Sequence, residues 1–160
     1  MPAKNNGSAV DIRSILPWYP NLEKTCKKKG VDPRLMVAIY KVESEFNPRN
    51  VDGRYNATGL GQILPSTYRA IHRELKDECT WANMKEPWAN IRYTTHLMSN
   101  NMKQYKSAHH AVWAYGGCVS INAKYAYMRK INTALKEIYN IDITDVEKYQ
   151  KSLRDVTTDV

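Results

Sequence analysis

The sequence lacks several features that would assign it to a class of protein at once. No apolar run approaches the roughly 20 residues needed to cross a bilayer. The first eight residues are polar and lack the apolar core of a secretion signal. No stretch alternates apolar and polar residues in the way a β-strand does. We therefore expect a mainly α protein that has no classical signal peptide and no membrane insertion.

Metal and cofactor motifs are also missing. The three cysteines are an odd number without metal-type spacing, which predicts reduced thiols and no zinc site. The four histidines show no partner at a ligand spacing, and there is no phosphate-binding glycine loop or Ser-His-Asp arrangement. We expect no metal and no cofactor.

Positive charge and polar aromatics are in excess. Lys and Arg outnumber Asp and Glu by 24 to 16, for a net charge of +8. Such a balance favours a polyanionic partner, either nucleic acid or an anionic cell envelope, although a solvated lysine-rich surface would give the same number. No recognition motif supports nucleic acid, so none is expected as a partner. The 11 Tyr and 4 Trp against one Phe suit sugar-binding grooves as well as cores.

Helical signals run through most of the chain and predict one domain. A chain of 160 residues fits a single core. We expect an N-terminal extension over residues 1–19, a catalytic domain over 20–139, and a charged tail or peripheral helix over 140–160. Capping residues, prolines and apolar spacing predict helices over 10–16, 21–29 and 33–46, then helices opened by Pro65, Pro87, Ser107 and Ser120. Between them, residues 47–58 form a long polar loop.

Glu43 is the acid that this pattern singles out. Asp32 is a suitable N-cap for its helix and Pro33 a suitable first residue. The predicted apolar face consists of Leu35, Ala38, Ile39, Val42 and Phe46. Glu43 falls within that face, whereas Glu45 falls on the polar side. A carboxyl on an apolar face holds its proton more tightly, as a general acid near neutral pH must. An ordinary Glu at the edge of the core, bonded to a nearby backbone or hydroxyl group, is the alternative, and the helix alone leaves both open.

Three segments then carry a resemblance to a known family. They are residues 43–48 (Glu-Ser-Glu-Phe-Asn-Pro), 57–67 (Ala-Thr-Gly-Leu-Gly-Gln-Ile-Leu-Pro-Ser-Thr) and 114–117 (Ala-Tyr-Gly-Gly). In order and spacing they resemble the soluble lytic transglycosylases, which are related to goose-type lysozyme and carry Glu-Ser-x-Phe-x-Pro, Gly-Leu-Met-Gln-x-x-Pro-x-Thr and Ala-Tyr-Asn-x-Gly. Asn90-Ile91 and Tyr127-Met128 resemble further family positions.

The resemblance implies a lysozyme-like domain with an active-site groove that cleaves peptidoglycan between N-acetylmuramic acid and N-acetylglucosamine. It implies that Glu43 protonates the glycosidic oxygen and then takes a proton from the muramyl 6-hydroxyl, which forms a 1,6-anhydro ring. The residues it implies for substrate binding are Ser44, Gly59, Leu60, Gly61, Gln62 and Tyr115.

Other readings remain open at this point. Asp52 is either a turn former before Gly53 or a second catalytic carboxylate, which would make the protein a hydrolytic muramidase. Gly61 stands where the family has Met, and Gly116 follows Tyr115 where the family has Asn. These departures leave room for an inactive wall-binding or virion structural protein.

Without an export signal, a bacteriophage origin is the leading expectation. The protein would be a monomeric domain in the phage virion, or would wait in the host cytoplasm before delivery to the cell wall. Its expected partner is the glycan strand of peptidoglycan.

Overall fold

The structure is a computed structural model that describes residues 11–158, with side chains to residue 156. The part of the predicted N-terminal extension that covers residues 1–10 lies outside the described residues. Eight α-helices and one 3₁₀-helix form the described fold: α1 Ile12–Ile15, α2 Tyr19–Lys29, α3 Pro33–Ser44, α4 Pro65–Leu75, the 3₁₀-helix Trp81–Lys85, α5 Pro87–Tyr105, α6 Ala108–Tyr115, α7 Ile121–Tyr139 and α8 Ile143–Thr158. The prediction of a mainly α fold is confirmed.

Helix starts follow from local chemistry. The side chains of Asp32, Ser107 and Ser120 accept hydrogen bonds from the N–H groups two or three residues later, and they cap α3, α6 and α7 as predicted. Pro65 and Pro87 open α4 and α5, where a missing N–H costs nothing. These starts confirm the predicted order of helices.

Helix α3 lies at the centre of the molecule. All six residues from Leu35 to Tyr40 are fully buried, and six residues exceed one helical turn, so the whole circumference of the helix is covered. The expectation of a single apolar face was therefore incomplete. Neighbouring helices α2, α7 and α8 contact α3, and the Tyr40 hydroxyl bonds Thr94 of α5 at 2.8 Å.

The C-terminal end of α3 comes earlier than predicted. The helix stops at Ser44 rather than Phe46, because Glu45 (φ 50°) and Phe46 (φ 65°) both take the left-handed conformation. The chain thus turns sharply just after Glu43 and enters the polar loop. Two isolated β-bridges, Val51 with Thr58 and Thr58 with Ile63, close this loop.

Both terminal segments join the same core. Ile12 and Trp18 at one end, and Ile143 and Val146 at the other, are buried in the main apolar cluster with α3. In the region for which a tail or a peripheral helix was expected, residues 143–158 form α8. Among the described residues, no helix is both long and apolar enough to cross a membrane.

Candidate active site

Glu43 sits on the last turn of α3, half-buried at the wall of an open cleft. The Tyr127 hydroxyl of α7 donates a hydrogen bond of 2.6 Å to Glu43 Oε2. Burial raises the pKa of the Glu43 carboxyl, while the Tyr127 hydrogen bond and the positive charge of Lys130 lower it by less. The Glu43 carboxyl therefore keeps its proton to a higher pH than an ordinary Glu does. Tyr127 supplies a fixed hydrogen-bond donor to its ionised form.

Tyr127 is the site residue that reasoning from the sequence missed. It lies 84 positions after Glu43, so no local spacing could pair them. The resemblance of Tyr127 to a family position was the one sequence signal that pointed to this residue, and the resemblance assigned it no role. Burial, followed by the negative charge of Glu43, raises the pKa of the Tyr127 phenol far above its ordinary value, so the group stays a donor.

Gly116 makes room for Tyr127. A Cβ atom built on Gly116 would lie 2.7 to 3.0 Å from three ring atoms of Tyr127, closer than real Cβ contacts. The family's Asn could not occupy this position unless the ring moved. The departure noted in the sequence therefore has a physical reason: the backbone at Gly116 lies directly against the ring that holds Glu43.

Ser44 links the end of α3 to the cleft floor. Its hydroxyl lies 2.8 Å from the Leu60 carbonyl oxygen and 3.1 Å from that of Tyr40. Leu60 is fully buried, and Ser44 is buried as well. Both residues, together with Gly59, lie behind the cleft surface, where they position the floor.

A buried amide shapes that floor. Asn90, which is 1% exposed, donates through Nδ2 to the carbonyls of Thr58 (3.0 Å) and Met84 (2.9 Å). Its Oδ1 accepts from the Gly61 N–H at 2.9 Å. Gly59 has φ +81°, and a side chain there would collide with the Asn90 amide, so glycine is required on both counts.

Tyr115 fixes the next residue of the floor. Its hydroxyl donates to the Gly61 carbonyl at 2.7 Å rather than to Glu43. A Cβ atom on Gly61 would collide with this hydroxyl and would lie 2.6 Å from Thr94 Cγ2. The family's Met is thus excluded by Tyr115 and Thr94, which fill the space that its side chain would need.

Gln62 and Asp52 both face the cleft but are already engaged. The Gln62 amide nitrogen donates to the carbonyls of Asn50 (3.0 Å) and Gly59 (3.1 Å), which uses both its hydrogens. The Asp52 carboxylate accepts from the N–H groups of Arg54 and Tyr55, each at 3.2 Å. Asp52 therefore stabilises a turn at the same time as it lines the cleft that contains Glu43.

The cleft has a volume of about 340 Å³ and brings together most of the predicted site. Glu43, Asp52, Gly61, Gln62 and Tyr115 all line it. Its remaining lining consists of Ala57, Ile63, Leu64, Thr67, Leu97, Gly116 and Gly117. Across the described residues, no group of three or more His, Cys, Asp or Glu side chains could hold a metal ion. The arrangement suits proton transfer between a carboxyl of the cleft and a bound ligand.

Comparison with known proteins agrees with this geometry. The sequence model of the Transglycosylase SLT domain matches residues 20–137. The chain is 38% identical over 93 residues to the endo-type membrane-bound lytic murein transglycosylase A of Enterobacter sp. (strain 638), covering 56% of this chain and 45% of that protein. It is 38% identical over 85 residues to the protein of the same description from Salmonella paratyphi B, covering 51% and 41%. The chain thus spans less than half the length of these curated relatives.

Solved structures share the fold. The lytic transglycosylase Slt of Pseudomonas aeruginosa superposes with a TM-score of 0.63 at 20% identity, over 90% of this chain and 25% of that one. The 70 kDa soluble lytic transglycosylase of Escherichia coli gives 0.59 at 18% identity, over 85% and 22%.

The helical fold that this chain shares with these solved structures is of the lysozyme-like class, as predicted. Within that class, the chain belongs to the Transglycosylase SLT domain family.

Proposed function

We propose that this chain is a peptidoglycan lytic transglycosylase with Glu43 as its single general acid and base. One observation carries the proposal: a half-buried carboxyl opens on the cleft with its pKa raised by burial and one oxygen held by Tyr127. Family membership and the lytic murein transglycosylases among its relatives support the same substrate.

The reaction then needs one carboxyl. Protonated Glu43 gives its proton to the glycosidic oxygen as the bond from that oxygen to C1 of N-acetylmuramic acid breaks. The substrate's N-acetyl group stabilises the positive charge at C1. The muramyl 6-hydroxyl attacks C1, and its proton passes to the Glu43 carboxylate, which restores the acid. Tyr127 holds the carboxylate in place during the interval in which it is charged.

A hydrolytic muramidase is the second candidate, because Asp52 lines the same cleft as Glu43. In that reaction a water replaces the 6-hydroxyl, and Asp52 would activate it. The two backbone hydrogen bonds to Asp52 favour a turn-forming role instead, since both carboxylate oxygens are engaged. An inactive wall-binding or virion structural protein remains the alternative outside enzymes.

Product analysis separates these functions. Purified peptidoglycan is digested with the wild type and the fragments are weighed by mass spectrometry. We expect 1,6-anhydro ends, which are one water lighter than reducing ends. Reducing ends alone would establish the muramidase.

Zymography tests the catalyst. Glu43→Gln should abolish clearing, whereas Glu45→Gln, an exposed acid two residues away, is the matched control and should clear as the wild type does. No clearing by any of the three would support a binding protein. The phage origin remains a prediction, for which immunodetection in purified virions is the test.

A further inference from the structure

A second cleft, of about 590 Å³, opens where α2, α5 and α8 end or meet. Its lining includes six cationic residues: Lys27, Lys28, Lys29, Lys103, Lys106 and Arg154. None of the residues that line it is acidic. A concave surface with this charge concentrates anions.

Part of the lining of this basic cleft is apolar. Met102, Leu153 and Val156 form this apolar patch, in which Met102 is buried and Val156 is 66% exposed. A fully polar polyanion would leave the apolar patch unused. A lining that is both cationic and apolar fits a peptide that carries both carboxylates and small apolar side chains.

Lys29 shows that the positive charge of the cleft is only partly balanced. Its ammonium donates to His96 Nδ1 at 3.0 Å, and His96 Nε2 lies 2.7 Å from Glu74 Oε2. The pKa of Lys29 is nonetheless lowered, first by burial and then by the positive charges of Arg92, Lys28 and Lys103, while Glu74 raises it by less. A bound anion would relieve this repulsion.

The basic cleft and the catalytic cleft open on opposite sides of α5. Leu97 lines the catalytic cleft, whereas Ser99 and Met102 line the basic one. At about 100° per residue, Leu97 points roughly 160° away from Ser99 and roughly 140° away from Met102. One molecule can therefore bind a glycan strand and a second group at the same time.

We propose that the basic cleft binds the acidic peptides of peptidoglycan and tethers the protein to the wall while the catalytic cleft engages a glycan strand. These peptides carry carboxylates for the lysines and alanine methyl groups for the apolar patch. A phosphate-rich wall polymer is dominated by polar groups, and a bilayer presents a broad surface rather than a segment that enters a cleft. The tether rests on the proposed function in so far as the wall is the substrate.

The test uses binding to insoluble wall by variants that also carry Glu43→Gln, which prevents digestion. Lys28→Glu with Lys103→Glu reverses two exposed cations of the cleft. Lys85→Glu with Lys148→Glu makes the same change in net charge at exposed lysines outside it. We expect retention on wall fragments to weaken roughly five- to thirty-fold for the first pair and less than about two-fold for the second.

Two further measurements make the result specific. Removal of the peptides from the wall with an amidase should lower binding by the Glu43→Gln protein and abolish the difference between the two pairs. With Glu43 intact, the Lys28→Glu and Lys103→Glu pair should cleave soluble peptide-free glycan at the wild-type rate. If thermal unfolding shows that this pair does not fold, Lys28→Gln with Lys103→Gln replaces it, with a smaller effect of the same sign.

Several results would overturn the tether. One is an equal loss of binding by both pairs of variants, and another is binding of the Glu43→Gln protein to peptide-free wall as strongly as to intact wall. The others are a loss of binding by the Glu43→Gln protein when only the phosphate polymers are stripped from the wall, and a preference of that protein for phosphatidylglycerol vesicles over the wall. Failure of the proposed function is visible separately, because it would appear as absent cleavage by the wild type and would leave the binding comparison intact.

Discussion

Replacement of Asn90 by alanine tests how the catalytic floor is held. The change removes the amide that bonds the Thr58 and Met84 carbonyls and the Gly61 N–H. The Thr58 carbonyl keeps its bond from the Ile63 N–H, so its loss is partial. The Gly61 N–H loses the bond that Asn90 provides in a buried place. A buried polar group without a partner costs about 1–3 kcal/mol, and we expect a total loss of roughly 2–4 kcal/mol in the free energy of unfolding.

Urea unfolding followed by circular dichroism measures this loss. Asn100→Ala on the same helix is the matched control, because its side chain makes an exposed hydrogen bond to Glu74. We expect the control to cost less than about 1 kcal/mol. A loss below about 1 kcal/mol for Asn90→Ala would show that Asn90 does not support the floor as argued.

Three further substitutions probe the site itself. Tyr127→Phe removes a donor that favours the charged carboxylate, so the pKa of Glu43 should rise. Because Glu43 must be protonated to act as the acid, the alkaline limb of the pH–rate profile should move to higher pH. An unmoved limb would contradict this role of Tyr127. Gly61→Met should collide with Tyr115 and cost about 1–3 kcal/mol in urea unfolding, whereas an unchanged midpoint would show that the floor can yield. Asp52→Asn should keep at least about a tenth of wild-type activity on purified wall, and a loss of a thousand-fold or more would restore the muramidase mechanism.

Local features of this fold could be predicted from the sequence. Asp32, Ser107 and Ser120 were recognisable as caps because each bonds a backbone group two or three residues away. The prolines that open α4 and α5 act through their own fixed geometry. Such signals need no knowledge of the rest of the chain.

The surroundings of α3 could not be predicted in the same way. Periodicity identifies one apolar face, but residues 35–40 of α3 are all buried, and helices α2, α7 and α8 contact α3. The early stop at Ser44 follows from the left-handed conformations of Glu45 and Phe46, which the apolar spacing did not indicate. Residues 143–158 gave no sequence signal for where their helix would pack.

The candidate site shows the same division. Glu43 was identifiable because an acid inside an apolar face is unusual, and the resemblance added Gln62 and Tyr115. Tyr127 was missed because its contact with Glu43 joins two helices far apart in sequence. Gly61 and Gly116 could be noted as departures, but their reasons, the space taken by Tyr115 and by the Tyr127 ring, exist only in three dimensions.

Digestion of peptidoglycan in water enriched in heavy oxygen tests the central claim most directly. If the muramyl 6-hydroxyl attacks C1 with Glu43 as acid and base, each new end is an anhydro ring that contains no oxygen from the solvent. Mass spectrometry should then give the same fragment masses in ordinary and heavy water. New ends that each carry one solvent oxygen would contradict the account and would show that water, not the substrate's own hydroxyl, is the nucleophile.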